Sequence, residues 1–196
     1  KNGVTNVGKA DPMRMLMVPD PTLMHMYFND FDHYVANDWT VTVVGTTPAQ
    51  ALLDGDGGLI KVTNSAADND SLQAQKVGES FLLTSGKKAM FKAKFQVSDV
   101  TQSDFLIGLA VLDTTLLGAV AGAGVTDGIF FSKDDGVATL DVACQKNATT
   151  GQTLATGIAT LVADTNYVLA WYYNGAGNLE YYVDGVHKGT LDASST

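Results

Sequence analysis

The 196-residue chain is expected to fold as an all-β protein built of antiparallel sheets, a β-sandwich or barrel behind an extended N-terminal arm. Three observations lead there. From Trp39 onward, short runs rich in β-branched and aromatic residues are separated by clusters of Gly, Asn and Asp, the punctuation that strands and tight reversals require. No apolar periodicity of the helical kind persists long enough for a core helix. A hydrophobic share of 45% against 17% charged residues supplies a sizeable interior, and single β-sandwiches of roughly 200 residues are ordinary.

Residues 1–23 form the arm and residues 24–196 the sandwich domain. The arm carries three of the four prolines and three of the six methionines. Pro12, Pro19 and Pro21 forbid a continuous helix and favour an extended path. Met13, Met15 and Met17 alternate with Arg14 and Leu16, which suits a segment lying along a surface, and methionine adapts to irregular grooves. Two readings stand: the arm closes over its own domain, or Met13, Met15 and Met17 are interface residues that grip another subunit.

The next stretch, "TLMHMYFNDFDHYVANDWTVT" at 22–42, packs His25, Asn29, Asp30, Asp32, His33 and Asp38 among aromatic residues. The eight-residue spacing of His25 and His33 is not that of a helical zinc motif. The stretch is read as the entry into the sandwich. Phe28, Phe31 and Trp39 are its expected core anchors, and Asn29, Asp30 and Asp32 are expected to fix the turns.

At least nine strands follow. "WTVTVV" at 39–44, "LIKVT" at 59–63 and "SLQAQKV" at 71–77 come first. In "AMFKAKFQV" at 89–97, Phe91, Ala93, Phe95 and Val97 alternate with Lys92, Lys94 and Gln96, the pattern of a strand with one wet face. "FLIGLAVL" at 105–112 reads as buried on both faces, with Gly108 marking a bulge or close backbone packing. "GIFFSK", "ATLDVAC", "NYVLAWYY" and "NLEYYVDG" complete the set. "NGAG" after Tyr173 and Asp184-Gly185 are reversals, because Asn, Asp and Gly accept positive φ. "TTLLGAVAGAG" at 114–124 is a short helix or a loop.

Composition excludes several functions. A net charge of -9 argues against nucleic acid, which demands clustered Lys and Arg. No apolar run approaches the roughly 20 residues a membrane span needs. Cys144 is alone, so no intrachain disulfide forms and no multi-cysteine zinc site exists. The opening "KNGVTNVGKADP" lacks the apolar stretch of a secretory signal.

No constellation for catalysis emerges. Glu79 and Glu180 are the only glutamates and neither has a paired acid two or three positions away, which argues against the sandwich glucanase pattern. His25, His33 and His187 have no G-x-S-x-G elbow to serve. "GAVAGAGVTDG" lacks the Lys-Ser/Thr ending of a phosphate loop. "DGDGG" at 54–58 resembles the start of a calcium loop but departs from it at Gly58, Leu59 and Ser65. A plain turn is the reading, with a calcium ion held partly by backbone carbonyls as the alternative; Asp54, Asp56 and Asp184 are the calcium candidates. No catalytic residue and no cofactor are expected.

"NYVLAWYYNGAGNLEYYVDGVHKGTL" at 166–191 is similar to the late strands of concanavalin-like or laminin-G-like jelly rolls, in which an apolar strand turns through "Y-V-D-G" into a short return strand. The stretch "PDPTLMHMYFNDFDHYVANDWTVT" at 19–42, ahead of a Gly-rich β domain, resembles a group of tailed-bacteriophage virion proteins, with Tyr27–Asp32 and Trp39–Thr42 carrying the match. The resemblance implies a jelly-roll sandwich with a structural role on the capsid exterior: a decoration (cement) or head-fibre protein whose partner is the major capsid protein. It also implies a homo-oligomer, a trimer by the symmetry of capsid positions. The alternative is a carbohydrate-binding module, calcium-dependent or not, that stacks a cell-surface glycan on Tyr172 or Tyr182.

Overall fold

The computed structural model describes residues 24–55, 57–65, 67, 70–118, 122–147 and 153–194. The arm, with Met13, Met15 and Met17, and the calcium candidate Asp56 lie outside the described residues. The chain divides into two compact units, one ending at Phe81 and the other beginning at Leu82.

In the first unit a short 3-10 turn at Ala36–Asp38 leads into β1 (Trp39–Val44), followed by β2 (Ala49–Leu53), β3 (Leu59–Thr63) and β4 (Ser71–Lys76). They pair as two separate two-stranded antiparallel ribbons, β1 with β4 and β2 with β3.

The second unit holds β5 (Ala89–Phe95), β6 (Phe105–Ala110), β7 (Gly128–Lys133), β8 (Thr139–Gln145), β9 (Thr153–Thr160), β10 (Tyr167–Tyr173), β11 (Asn178–Val183) and β12 (Val186–Asp192). These make two four-stranded antiparallel sheets, ordered β12-β11-β10-β5 and β6-β7-β8-β9. The second is a plain meander. In the first, β5 lies beside β10 across the long excursion through the opposite sheet, a Greek-key relation.

The all-β antiparallel sandwich expected from the sequence is present. Ile129, Phe131, Leu140 and Val142 from one sheet meet Leu169, Trp171, Leu179 and Val183 from the other in one core, and Phe131, Leu140, Val142, Leu169, Trp171 and Leu179 are fully buried. Each such side chain contributes about 1.5–3 kcal/mol by leaving water. The alternation read in "AMFKAKF" is realised: Ala89, Phe91 and Phe95 pack on the core, while Met90, Lys92 and Lys94 are exposed. Because β5 is an edge strand, its lysines also discourage pairing with another sheet.

Both predicted reversals form. The Asn174 side chain accepts from the N–H groups of Ala176 (2.7 Å) and Asn178 (3.1 Å). Asp184 and Gly185 take φ of 52° and 76°, the pair of positive values that a two-residue type I′ hairpin demands. Close packing, not a bulge, explains Gly108: a β-carbon there would lie 2.4 Å from the Ile129 carbonyl oxygen, and the β6–β7 register is unbroken.

The described part of 114–124 is loop. Leu116 and Val125 fold onto the outer face of the β6-β7-β8-β9 sheet, where they bury Phe130 and Ala143 in a second, smaller cluster. β2 and β9 had no sequence signal. "AQALL" is poor in strand formers, and "TLATGIAT" offers the core only small residues and Ile158.

Candidate functional site

Two surfaces carry the unusual chemistry, one in each unit. On the first unit's β1–β4 ribbon, cross-strand pairs assign the side chains to opposite faces. Trp39/Lys76, Val41/Ala74 and Val43/Leu72 share one face; Thr40/Gln75, Thr42/Gln73 and Val44/Ser71 share the other. One face is therefore apolar and the other is almost wholly polar. On the β2–β3 ribbon, Leu52/Ile60 and Gln50/Val62 share a face.

Such faces normally close over a second layer, yet here they stay open. Val41 is 38% exposed, Val43 46%, Leu52 41% and Val62 49%. Among the described residues up to Phe81, only Pro48 is buried. Sequence reasoning did not single out these residues as an exposed apolar surface. The signal was present in the alternation of "WTVTVV"; what alternation does not say is whether the apolar face finds a partner.

The stretch before β1 organises itself around Trp39. Asn29 donates to the Tyr27 hydroxyl (3.0 Å) and its side-chain oxygen accepts from the Phe31 N–H (2.8 Å), which stabilises Phe31 at a positive φ of 58°. Asp30 accepts a longer bond from the Asp32 N–H (3.5 Å). The Tyr27 and Phe31 rings lie 6.5 and 6.2 Å from Trp39, and the Lys76 ammonium sits 4.4 Å above the Tyr27 ring. The backbone at Asp30–Asp32 runs so close to Gly58 that a β-carbon there would stand 2.3 Å from the Asp30 carbonyl oxygen. Tyr34 accepts a hydrogen bond from Gln50 of β2.

The core-anchor expectation needs correction. Phe28 is 78% exposed, and Phe31 and Trp39 are only half-buried. The stretch 24–31 joins no ladder, so nothing forces its alternate side chains toward an interior. His25 packs its ring on Phe81 at 4.6 Å, and His33 is exposed.

The second surface is the outer face of the β12-β11-β10-β5 sheet. Because Trp171 and Tyr181 point into the core, Tyr172 and Tyr182 point out. Register sets Met90, Tyr172, Glu180 and Thr190 in one row, and Lys92, Ala170, Tyr182 and His187 in the next. Both tyrosines are half-buried, and the Tyr182 ring meets His187 edge-on at 5.2 Å. Tyr182 donates its hydroxyl to the Glu180 carboxylate, a bond that, with some burial and the Glu180 charge, raises the phenol's pKa above 10.0. Ala170 leaves a low point between the rings and Lys92. The register shift between Tyr181 and Tyr182 leaves Lys188 without an opposite residue at the edge.

Of the calcium candidates, Asp54 is exposed beside Gly55. Asp184 ties the β11–β12 turn to β10: its carboxylate accepts from the Val168 N–H at 2.8 Å while its N–H donates to the Val168 carbonyl at 2.8 Å. Among the described residues, no three His, Cys, Asp or Glu side chains gather as a metal-binding group.

One buried charge escaped the sequence reading. Lys133 follows Ile129 and Phe131 on the inward row of β7 and is 1% exposed. Its ammonium donates to the Ser103 carbonyl and, at 2.9 Å, to the Asp134 carbonyl. Burial holds its pKa below 10.5 against the opposing pull of Asp104, Asp135, Asp99 and Asp134. Burial likewise holds Asp104 above 3.8, and its Oδ1 is enclosed without a hydrogen-bond partner.

No family model matches the chain, and no curated protein or solved structure matches it either.

Proposed function

We propose that the chain is a non-enzymatic virion structural protein, a capsid decoration protein attached to the outside of the major capsid shell as a homo-oligomer, with a trimer favoured by threefold capsid positions. The observation that carries this reading is the open first unit. Among the described residues, fourteen of the 23 large hydrophobic side chains that stand exposed belong to the residues up to Phe81, although the second unit is the larger of the two. Exposed apolar surface on this scale marks a contact site. The resemblance of Tyr27–Asp32 and Trp39–Thr42 to phage virion proteins falls in this same unit. Met13, Met15 and Met17, just upstream, extend the proposed interface.

The test is occupancy on capsids of the virus that encodes the chain, imaged by electron microscopy. Deleting residues 1–23 is expected to leave the sandwich folded and to remove it from the capsid. Unchanged occupancy would overturn the reading.

A second reading is favoured by Tyr172 and Tyr182, half-buried diagonal neighbours on the outer face of the β12-β11-β10-β5 sheet, in rows shared with Glu180, His187 and Lys92. Aromatic rings with neighbouring polar groups suit a sugar ring, so the face is proposed as a glycan contact that could operate on a decorated capsid. Tyr172→Ala with Tyr182→Ala should abolish retention on any glycan array on which the native chain is retained. Retention by the double variant would remove this face from consideration.

A further inference from the structure

We infer that the outer face of the β12-β11-β10-β5 sheet docks an acidic polysaccharide, with sugar rings against Tyr172 and Tyr182 and acid groups at the lysines of β5. The inference rests on reading this face as a glycan contact, and it names the class of glycan.

The chain carries 12 Lys and Arg against 21 Asp and Glu, yet four of those cations fall in "KKAMFKAK" at 87–94, and no acid stands between Glu79 and Asp99. Lys87, Lys88, Lys92 and Lys94 are all exposed. Lys92 and Lys94 project from the wet face of β5, where register sets Ala170 and Val168 of β10 opposite them, so no carboxylate faces either lysine across that ladder. Acids of the same unit gather elsewhere: Asp99, Asp104, Asp134 and Asp135 act on Lys133, and Asp141 belongs to β8 of the other sheet. A basic strip on a chain of net charge -9 is complementary to an anion and to little else on the chain's own surface.

The acids that do share the sheet lie toward β11 and β12, and each already accepts a hydrogen bond. Glu180 accepts from the Tyr182 hydroxyl, Asp184 from the Val168 N–H and Asp192 from the Ser194 N–H. The face is therefore graded across its strands: cations on β5, the small Ala170 with Tyr172 on β10, then Tyr182 and carboxylate acceptors on β11. Lys92 and Tyr182 flank Ala170 in one row, two strand spacings or roughly 10 Å apart. A sugar ring over Ala170 can offer its acid group to Lys92, a ring face to a tyrosine and hydroxyls to Glu180.

Edge protection accounts for lysines on β5 but not for the tyrosines in the adjoining rows. An acidic polypeptide supplies charge without the hydroxyls that suit Glu180. A nucleic acid brings a phosphate at every step toward Glu180, Asp184 and Asp192, and residues 24–196 contain no arginine to grip it.

The experiment is retention of the full chain on four immobilised probes over a sodium chloride series: polygalacturonate, its methyl ester, polyglutamate and a single-stranded oligonucleotide. The ester keeps the sugar and removes the charge. Retention is expected on polygalacturonate, falling as salt screens the contact, and should be weaker on the other three. Lys92→Gln with Lys94→Gln should weaken it about three- to tenfold. Lys146→Gln, at the exposed lysine that follows β8 in the opposite sheet, should leave it unchanged. The lysine changes touch only exposed side chains, and the salt series on the native chain needs no variant.

Equal retention on the acid and its ester, indifferent to salt and to Lys92 and Lys94, overturns the inference and leaves the glycan reading standing. Retention on polyglutamate or the oligonucleotide that matches polygalacturonate also overturns it, since the lysines then serve another polyanion. No retention on polygalacturonate overturns it too, and the glycan reading falls with it only if no glycan of an array retains the chain.

Discussion

Replacing Lys133 by methionine asks whether a cation, and not merely a long side chain, closes one end of the sandwich. Methionine retains most of the apolar stem, so the transfer contribution, at about 0.8 kcal/mol per methylene, changes little. What disappears is the pair of ammonium bonds to the Ser103 and Asp134 carbonyls. Charge-assisted bonds of this kind are worth about 1.5–3 kcal/mol each. Against that stands the relief from no longer burying an ammonium, a penalty of several kcal/mol in its own right. The relief would win if the partners left with the lysine. They do not, because both carbonyls remain, and Asp104 keeps an enclosed carboxylate oxygen with its cation gone. The expected net cost is about 2–4 kcal/mol at neutral pH, within the range for removing one partner from a buried charge arrangement. Lys133→Ala, which also empties the stem, should cost more.

Urea unfolding followed through the buried Trp171 measures the difference. Its pH dependence identifies the cause. Asp104 has a folded pKa above 3.8, so the folded state binds its proton more readily, and stability falls as pH rises through that window. Without Lys133 to favour the carboxylate, this loss deepens, so the variant's deficit should shrink on acidification below Asp104's folded value. At the alkaline end only the native chain gains stability, as pH rises from the lowered pKa of Lys133 toward 10.5. A methionine variant as stable as the native chain at neutral pH would refute the reasoning and make the ammonium a burden that the fold merely tolerates.

Three further outcomes are expected. Gly108→Ala should destabilise the second unit by about 1–3 kcal/mol in thermal unfolding, because the new methyl overlaps the β7 backbone; an unchanged transition would mean that β6 and β7 separate freely. Glu180→Ala should bring the Tyr182 phenol back toward 10.0 in an ultraviolet titration, since the hydrogen bond to Glu180 is the main cause of its rise; a static titration curve would contradict that bond. Asp99 accepts from the Gln102 and Thr101 N–H groups and the Thr101 hydroxyl, which hold its pKa below 3.8. It therefore adds stability above 3.8 that is lost as pH falls through its lowered folded value. Asp99→Ala should be less stable at neutral pH and lack this acid-side loss; proton titration by nuclear magnetic resonance would expose an Asp99 with an ordinary pKa.

Much of the second unit was legible because its local signals agree with one another. In "AMFKAKF" the alternation, the exposed lysines and the edge position point the same way, and Asn174 and Asp184-Gly185 turn where their side chains and φ values favour turning. Other features depended on distant residues. Lysine at a strand end normally reads as a surface group, and only its parity with Ile129 and Phe131 hinted that Lys133 would be drawn inside. The loop holding Leu116 and Val125 carries no strand or helix pattern, and its role emerges only because Phe130 and Ala143 lie on the sheet beneath it. Phe28 looked like an anchor because it is large and apolar, but anchoring requires a surface to anchor to.

That last point separates the two units. "WTVTVV" and "AMFKAKF" carry the same two-residue period, and each yields a strand with one apolar face. In β5 that face meets the opposite sheet, so the period is accounted for by the fold. In β1 the same period places Val41 and Val43 where water still reaches them. A sequence that keeps β-branched residues on one side and Thr and Gln on the other is patterned for burial on the first side and solvent on the second. The second unit's pattern explains its own stability; the first unit's pattern is only half used among the described residues. The half left exposed among the described residues, and not the histidines and aspartates of the preceding stretch, is the surface on which the proposed contact rests.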